Sequence, residues 1–523
     1  MSEGRNAGWT GDGLAALSGV LLALSFPKFG HWAAAWVALV PLLVSVASAR
    51  SGRAAFRRGY VAGAVSSMGL VYWTEAVVVQ FGGLPLLVGI VVMTLLCLAL
   101  ALFPSLFAWL VWRWLRAFGR PALLLAPVAW VATEILRAHT LFRFSWCLLG
   151  YSQHENVAFI QIARFGAVYL VSAVVAASSA VLAYLALERD PRARAAASAS
   201  LAVLLLGVSA FGTATLAQPI RPSGRIKVGL VQAAILQGEK WDPSLAWRNI
   251  ERHIALTEQA ADRGARLVVW PESAVPLLFD RNPLVAARLR DLAQARRIHL
   301  LFGNDDREDV PGGGYRMFVG AKMLDPDGGL VLRYHKIRLV PFGEYVPMQP
   351  LLTVGGRFAA KLVDQVADFT PGSAHVTAPV EGHPIGATIC YEAIFPDVVR
   401  GFAAGGAELL VNVTNDAWYG RSSAPYQHLA MASFRAVENG KYLVRAANTG
   451  ISAVVDPRGR VLERTALFEP AVIVRDVPFV PGTTFYARHG DVFAWGCFAL
   501  AAALTALALV RMKTEEPKTW LTT

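Results

Sequence analysis

Eight apolar runs, most of them at or above the ~18–20 residues needed to cross about 30 Å of hydrocarbon, constrain this 523-residue chain more than any other feature. They span approximately 12–27, 31–49, 59–80, 84–112, 121–138, 157–187, 196–217 and 491–511. The first is short, and two are long enough to tilt or to include an interfacial piece. Further spans follow the first at once, so it reads as a span and not as a cleaved leader. A composition of 55% hydrophobic and 16% charged residues argues against a fully soluble enzyme, in which about 25% of residues are charged. Four cysteines in this length exclude a disulfide scaffold.

Basic residues in the short connections give an orientation. Arg5, Arg50, Arg53, Arg57, Arg58, Arg113, Arg116, Arg120, Arg189, Arg192, Arg194, Arg511, Lys513 and Lys518 fall on one side, whereas the other side holds Lys28, Arg137 and Arg143. Positive residues stay in the cytoplasm. Both termini are therefore expected inside, and residues 218–490 outside. The expected organisation is a membrane domain over 1–217 with seven spans, an outer domain over 218–490, and an eighth span with its tail over 491–523. The net charge of +12 does not signal nucleic acid. The outer segment holds 31 Lys+Arg against 27 Asp+Glu, a net of +4 without a basic run, and the remainder belongs to the membrane part. Glu75, Glu134, Arg137 and Arg164 lie in or near the spans; as often as not they sit near span ends, which favours interfacial anchoring over a transport path.

The outer segment alternates strand-like and helical stretches. Strands are expected at 225–232, 266–270, 298–303, 330–334, 385–390, 408–413 and 451–456, with helices at about 243–263, 283–297, 396–405 and 425–440. Such alternation predicts a layered α/β sheet, whose working groups collect just beyond strand ends. Glu272, Lys336 and Cys390 stand there. Cys390 is the only cysteine of the outer segment, and it reads either as an inert core thiol or as a nucleophile. A nucleophile near pKa ~8.5 needs a base or a cation beside it. The ten histidines are scattered with neither metal-ligand nor Cys–His spacing, which leaves a carboxylate and a lysine. Glu272 could take the thiol proton and Lys336 could hold charge developing on a carbonyl oxygen. No metal or organic cofactor is expected.

Three ordered stretches carry a resemblance. Trp270-Pro271-Glu272-Ser273, then His335-Lys336 followed by Pro341-Phe342-Gly343-Glu344-Tyr345-Val346-Pro347, then Cys390-Tyr391-Glu392 resemble the Glu–Lys–Cys triad of the nitrilase superfamily. Together with the eight-run frame, Lys240-Trp241-Asp242, Asn415-Asp416-Ala417-Trp418-Tyr419-Gly420 and Gln427-His428, the wording resembles its membrane-embedded branch, the apolipoprotein N-acyltransferase family. The resemblance implies an αββα domain at the outer face of a bacterial inner membrane. It makes Glu272 a general base, Lys336 an oxyanion holder, Cys390 the nucleophile and Glu344 a second glutamate near them. Trp241, Tyr391 and Glu392 match positions around the acyl and substrate sites. Relatives often carry Tyr-Asn near 315–317, where this chain reads Tyr315-Arg316-Met317. The implied reaction moves an acyl chain from a phospholipid, through a Cys390 thioester, to the N-terminal amine of a diacylglyceryl-apolipoprotein.

Two other classes remain open on sequence grounds: a membrane-anchored amidase in which water resolves the acyl-enzyme, and a non-catalytic envelope partner module. Segment 345–356 is apolar for a loop and reads as a lid, a lipid-dipping arm or a packed crossover. Trp241 and Trp418 suit the headgroup level or a core.

Overall fold

The computed structural model describes residues 2–140, 143–346 and 368–514. The chain divides into two compact units, one formed by Met1–Gln218 with His489–Thr523 and the other by Pro219–Arg488.

The first unit is helical. Among the described residues, five helices are long and apolar enough to cross a membrane: Leu86–Phe118, Arg120–His139, Phe159–Leu187, Pro191–Ala217 and Val492–Met512. A sixth span results if Gly52–Val71 and Thr74–Gly82, which meet at a 51° bend, are taken together. The first two apolar runs form the shorter helices Thr10–Leu24 and Trp32–Ala47. The second of these opens as a 3₁₀ turn, Trp32–Trp36, before regular helix begins at Val40. The expectation that Glu134 is an interfacial anchor is corrected here. Its side chain is buried, and Oε1 accepts Trp130 Nε1–H at 2.9 Å and the Leu149 N–H at 2.7 Å. The carboxylate ties its own helix to the Leu149–Gln153 turn, satisfying donors that lipid could not.

Among the described residues the second unit has fourteen strands. In chain order they are β1 (Gly224–Gln232), β2 (Leu267–Val269), β3 (His299–Gly303), β4 (Asp306–Asp309), β5 (Tyr315–Phe318), β6 (Gly320–Leu324), β7 (Leu330–His335), β8 (Thr377–Val380), β9 (His383–Ile389), β10 (Leu409–Thr414), β11 (Tyr442–Ala447), β12 (Ala453–Val455), β13 (Val461–Arg464) and β14 (Ala471–Phe479). Two six-stranded sheets result, ordered β14-β1-β2-β3-β6-β7 and β13-β12-β11-β10-β9-β8, with β4 and β5 as a separate hairpin. Each sheet has three parallel strands at its centre (β1-β2-β3 and β9-β10-β11), flanked by antiparallel ones.

Strands β2, β3, β10 and β11 are buried along their whole length, as strands covered on both faces must be. Helices Ala246–Asp262 and Pro283–Arg296 press Ile250, Ile254, Leu289 and Leu292 onto Val231, Val268 and Leu300 of the first sheet. Helices Pro396–Ala404 and Ala424–Asn439 pack on the second sheet, and β6 meets β9 and β1 meets β11 between the two sheets. The order is helix, sheet, sheet, helix.

Candidate active site

The parallel register decides which residues meet. Ile389 at the end of β9 pairs with Val413 of β10, so the next residues on each strand, Cys390 and Thr414, lie side by side. Cys390 itself adopts φ +46°, a left-handed conformation that costs a non-glycine residue energy and is retained where surrounding structure enforces it. A 3₁₀ helix, Cys390–Ile394, starts there. The strand thus ends in a sharp elbow that carries the thiol.

Glu272 follows β2 across Trp270 and Pro271, in a loop pinned by Trp270 N–H to the Leu301 carbonyl at 2.8 Å and Gly303 N–H to the Pro271 carbonyl at 3.1 Å. Gly303 is required at this approach. A Cβ there would stand 2.3 Å from the Ser273 nitrogen and 2.6 Å from the Glu272 Cα. Lys336 follows β7, its backbone held by N–H to the Val319 carbonyl at 2.9 Å.

The side chains converge. Lys336 Nζ is fully buried and donates to Glu272 Oε1 at 3.0 Å and to Glu344 Oε1. Glu272 Oε2 accepts the Asn415 N–H at 3.0 Å, and Glu344 Oε2 accepts the Val340 N–H at 2.8 Å. Burial disfavours the Lys336 ammonium, but the Glu272 and Glu344 carboxylates outweigh it and hold its pKa well above the usual lysine range. Burial raises the Glu344 carboxyl, partly offset by Lys336. The Cys390 thiol is raised first by burial and next by the Glu272 charge, while Lys336 and a hydrogen bond with Thr414 pull it down. Resting Cys390 is a thiol, adjacent to both a carboxylate and an ammonium.

The remaining sequence candidates separate by role. Glu392 is buried and accepts four donors: Ile389 N–H at 2.7 Å, Ile337 N–H at 2.6 Å, Arg338 N–H at 3.2 Å and Tyr334 Oη–H at 2.7 Å. It ties the cysteine elbow to the lysine-bearing end of β7. Tyr391 is buried, its ring edge-on to Phe395 at 5.0 Å. Trp241 is 46% exposed. Arg316 is exposed on β5 opposite Glu308. Of segment 345–356, only Tyr345 and Val346 fall within the described residues.

Two groups escaped sequence reasoning. Lys240 is buried and donates to the Glu272 carbonyl at 2.7 Å; burial lowers its pKa to about 8. Its signal was its place in the Lys-Trp-Asp stretch, but only the tryptophan was read as a site residue. Arg445 lies fully buried in β11 and pairs with Asp416 at 2.8 Å; nothing in an apolar strand marks such a residue as paired.

Paired sheets, with a lysine bridged between two glutamates beside a strand-end cysteine, define a carbon–nitrogen hydrolase domain, and that family model matches residues 227–481. The model of the apolipoprotein N-acyltransferase N-terminal domain matches residues 18–182. The chain is 41% identical to the apolipoprotein N-acyltransferase of Geobacter metallireducens, with 95% of each chain covered. It is 36% identical to that of Azotobacter vinelandii, covering 97% of this chain and 96% of the relative. The chain belongs to the apolipoprotein N-acyltransferase family. It is a bacterial membrane protein.

Proposed function

We propose that this chain transfers an acyl group from a phospholipid to the N-terminal amine of an S-diacylglyceryl-cysteine apolipoprotein, with Cys390 as the covalent carrier. The observation that carries the reading is the buried Glu272–Lys336–Glu344 chain beside the Cys390 elbow. Glu272 takes the thiol proton as sulfur attacks the ester carbonyl. Lys336, fixed in its charged form by two carboxylates, faces the oxyanion, and the N–H of Tyr391 joins it. Collapse breaks the ester C–O bond, and Glu272 returns the proton to the departing lysophospholipid oxygen. The acceptor amine then attacks the thioester, Glu272 receives its proton, and sulfur leaves as thiolate to be reprotonated.

Glu344 keeps Lys336 aimed, Glu392 fixes the distance between the elbow and β7, and the exposed ring of Trp241 offers apolar contact at the rim. Both substrates are anchored in lipid, and exposing their chains to water costs about 0.8 kcal/mol per CH₂. That cost favours a membrane-tethered enzyme. The charge asymmetry of the connections supports eight spans with both termini cytoplasmic and the catalytic domain, residues 218–490, in the periplasm. In this reading the bent pair and the two short helices each complete a span.

Purified protein, given phospholipid labelled in the acyl chain and a diacylated lipopeptide, is expected to yield labelled triacyl lipopeptide. Label released only as free fatty acid would replace the transferase by a hydrolase. An unlabelled lipopeptide with no released acid would remove the catalytic reading.

A further inference from the structure

The Asn-Asp and Gln-His stretches supply a cluster behind the nucleophile that the acyl-transfer reading leaves without a task. His428, on helix Ala424–Asn439, places Nε2 3.2 Å from the Cys390 carbonyl oxygen. Its Nδ1 lies 3.0 Å from Asp416 Oδ1 and 3.0 Å from Arg445 Nη2. Arg445 Nη2 also donates to Asp416 Oδ2 at 2.8 Å, and its Nη1 donates to Asn412 Oδ1. All three ionisable side chains are buried, and a Cβ on Gly450 would meet Asp416 Oδ2 at 2.3 Å. The cluster is packed from every side.

A carbonyl oxygen can only accept, so His428 Nε2 must carry a proton to satisfy the Cys390 carbonyl. Nδ1 faces both a donor, Arg445 Nη2, and an acceptor, Asp416 Oδ1, each at 3.0 Å: carrying a proton it donates to Asp416, and without one it accepts from Arg445. Burial and the Arg445 charge lower the His428 pKa while Asp416 raises it, and in either protonation state Nε2 keeps its proton toward the Cys390 carbonyl.

The peptide unit after Cys390 is planar, and its C=O and N–H point in opposite directions. Fixing the carbonyl therefore fixes the N–H of Tyr391. That N–H stands in the first turn of a 3₁₀ helix, where backbone donors lack intrahelical acceptors. The same bond restrains the peptide leaving the left-handed Cys390, the residue that carries the thiol.

We propose that His428, held by Asp416 and Arg445, is a positioning residue that aims the Cys390–Tyr391 peptide and the thiol through the Cys390 carbonyl. The inference rests on Cys390 being the acyl carrier.

The test compares His428→Asn with His428→Gln in the full-length protein. Glutamine can present an amide N–H near the Nε2 position, whereas asparagine reaches only the Nδ1 position. The rate of acyl-adduct formation on Cys390 from phospholipid is measured in a single turnover, as a function of phospholipid concentration, with thermal unfolding as a check on folding. His428→Asn is expected to slow the maximal rate on the order of 10- to 100-fold, the scale of a small misplacement of reacting groups, without shifting the half-saturating concentration. His428→Gln should remain within about threefold of the parent, the scale expected when the hydrogen bond is rebuilt. Equal rates in the two variants, fast or slow, overturn the positioning role. Should His428→Asn fail to fold, His428→Gln against the parent decides: retention supports the role, and a loss beyond tenfold overturns it. Absence of an adduct in the parent itself would instead overturn the acyl-carrier reading.

Discussion

Lys336 Nζ lies 3.0 Å from Glu272 Oε1, while Oε2 of the same carboxylate accepts the backbone N–H of Asn415. Both oxygens of the proposed base are therefore oriented before substrate arrives. One faces the ammonium proposed to steady the oxyanion, and the other is bound to the segment following β10. Proton transfer from Cys390 then needs little rearrangement of the carboxylate, which is how a fixed base gains over a free one.

Replacing that carboxylate isolates its chemistry. Glu272→Gln keeps the shape and can still accept from Asn415, but it cannot take the thiol proton. Acyl-adduct formation is expected to fall by about 10²- to 10⁴-fold, with thermal stability reduced far less than activity. A stopped-reaction time course with phospholipid alone measures it.

Removing Lys336 acts differently, because it strands two buried carboxylates. Lys336→Met is expected to abolish turnover and also to destabilise the catalytic domain by about 3–5 kcal/mol, the usual cost of breaking a buried pair. In the double variant Lys336→Met/Glu344→Gln one stranded charge is gone. Part of the stability should return in chemical denaturation, without activity.

Gly303→Ala adds only one methyl, but the methyl would stand 2.3 Å from the Ser273 nitrogen. The Glu272 loop must shift to accept it. Acylation should drop at least about tenfold, since small displacements of a catalytic group are costly, and thiol alkylation of Cys390 by a small reagent measured alongside should change much less.

Lys240 makes stability depend on pH above neutrality. Its folded pKa, lowered by burial to about 8, lies below the ordinary lysine value of about 10.4. Between those values the native state has released a proton that the unfolded state still binds, so stability rises with pH in that window. Thermal midpoints of the parent should therefore gain on those of Lys240→Met from about pH 8 to about pH 10, and run parallel to them below pH 8.

How far the sequence carries this account depends on what kind of contact is asked for. Strand ends were legible because β-branched runs stop abruptly. Glu272, Lys336 and Cys390 each follow such a stop, and all three meet in one site. Glu392 was legible only as a match to a motif, because its four donors come from two strand ends far apart in sequence. Of Lys240 and Trp241, the sequence singles out only the tryptophan as a candidate. The lysine is buried and the tryptophan exposed; the Glu272 carbonyl accepts from the ammonium but offsets only part of its lost hydration. Strand β14 was not anticipated, although it closes the first sheet along nine residue pairs with β1. Its Arg475-Asp476 pair and Pro478 interrupt the apolar run by which a strand is read from sequence. In the membrane part, counting apolar residues found the runs but not the bend near Tyr72–Trp73 or the 3₁₀ opening at Trp32, because hydropathy does not register helix continuity.

The most direct test of the central claim is mass spectrometry of the purified protein after exposure to phospholipid alone, with peptide mapping of the modified site. The account predicts a single acyl group on the peptide containing Cys390, released by neutral hydroxylamine as a thioester is, and discharged when a diacylated lipopeptide is added. Acyl groups found on another residue, or an unmodified Cys390 in protein that still produces triacyl lipopeptide, would contradict it.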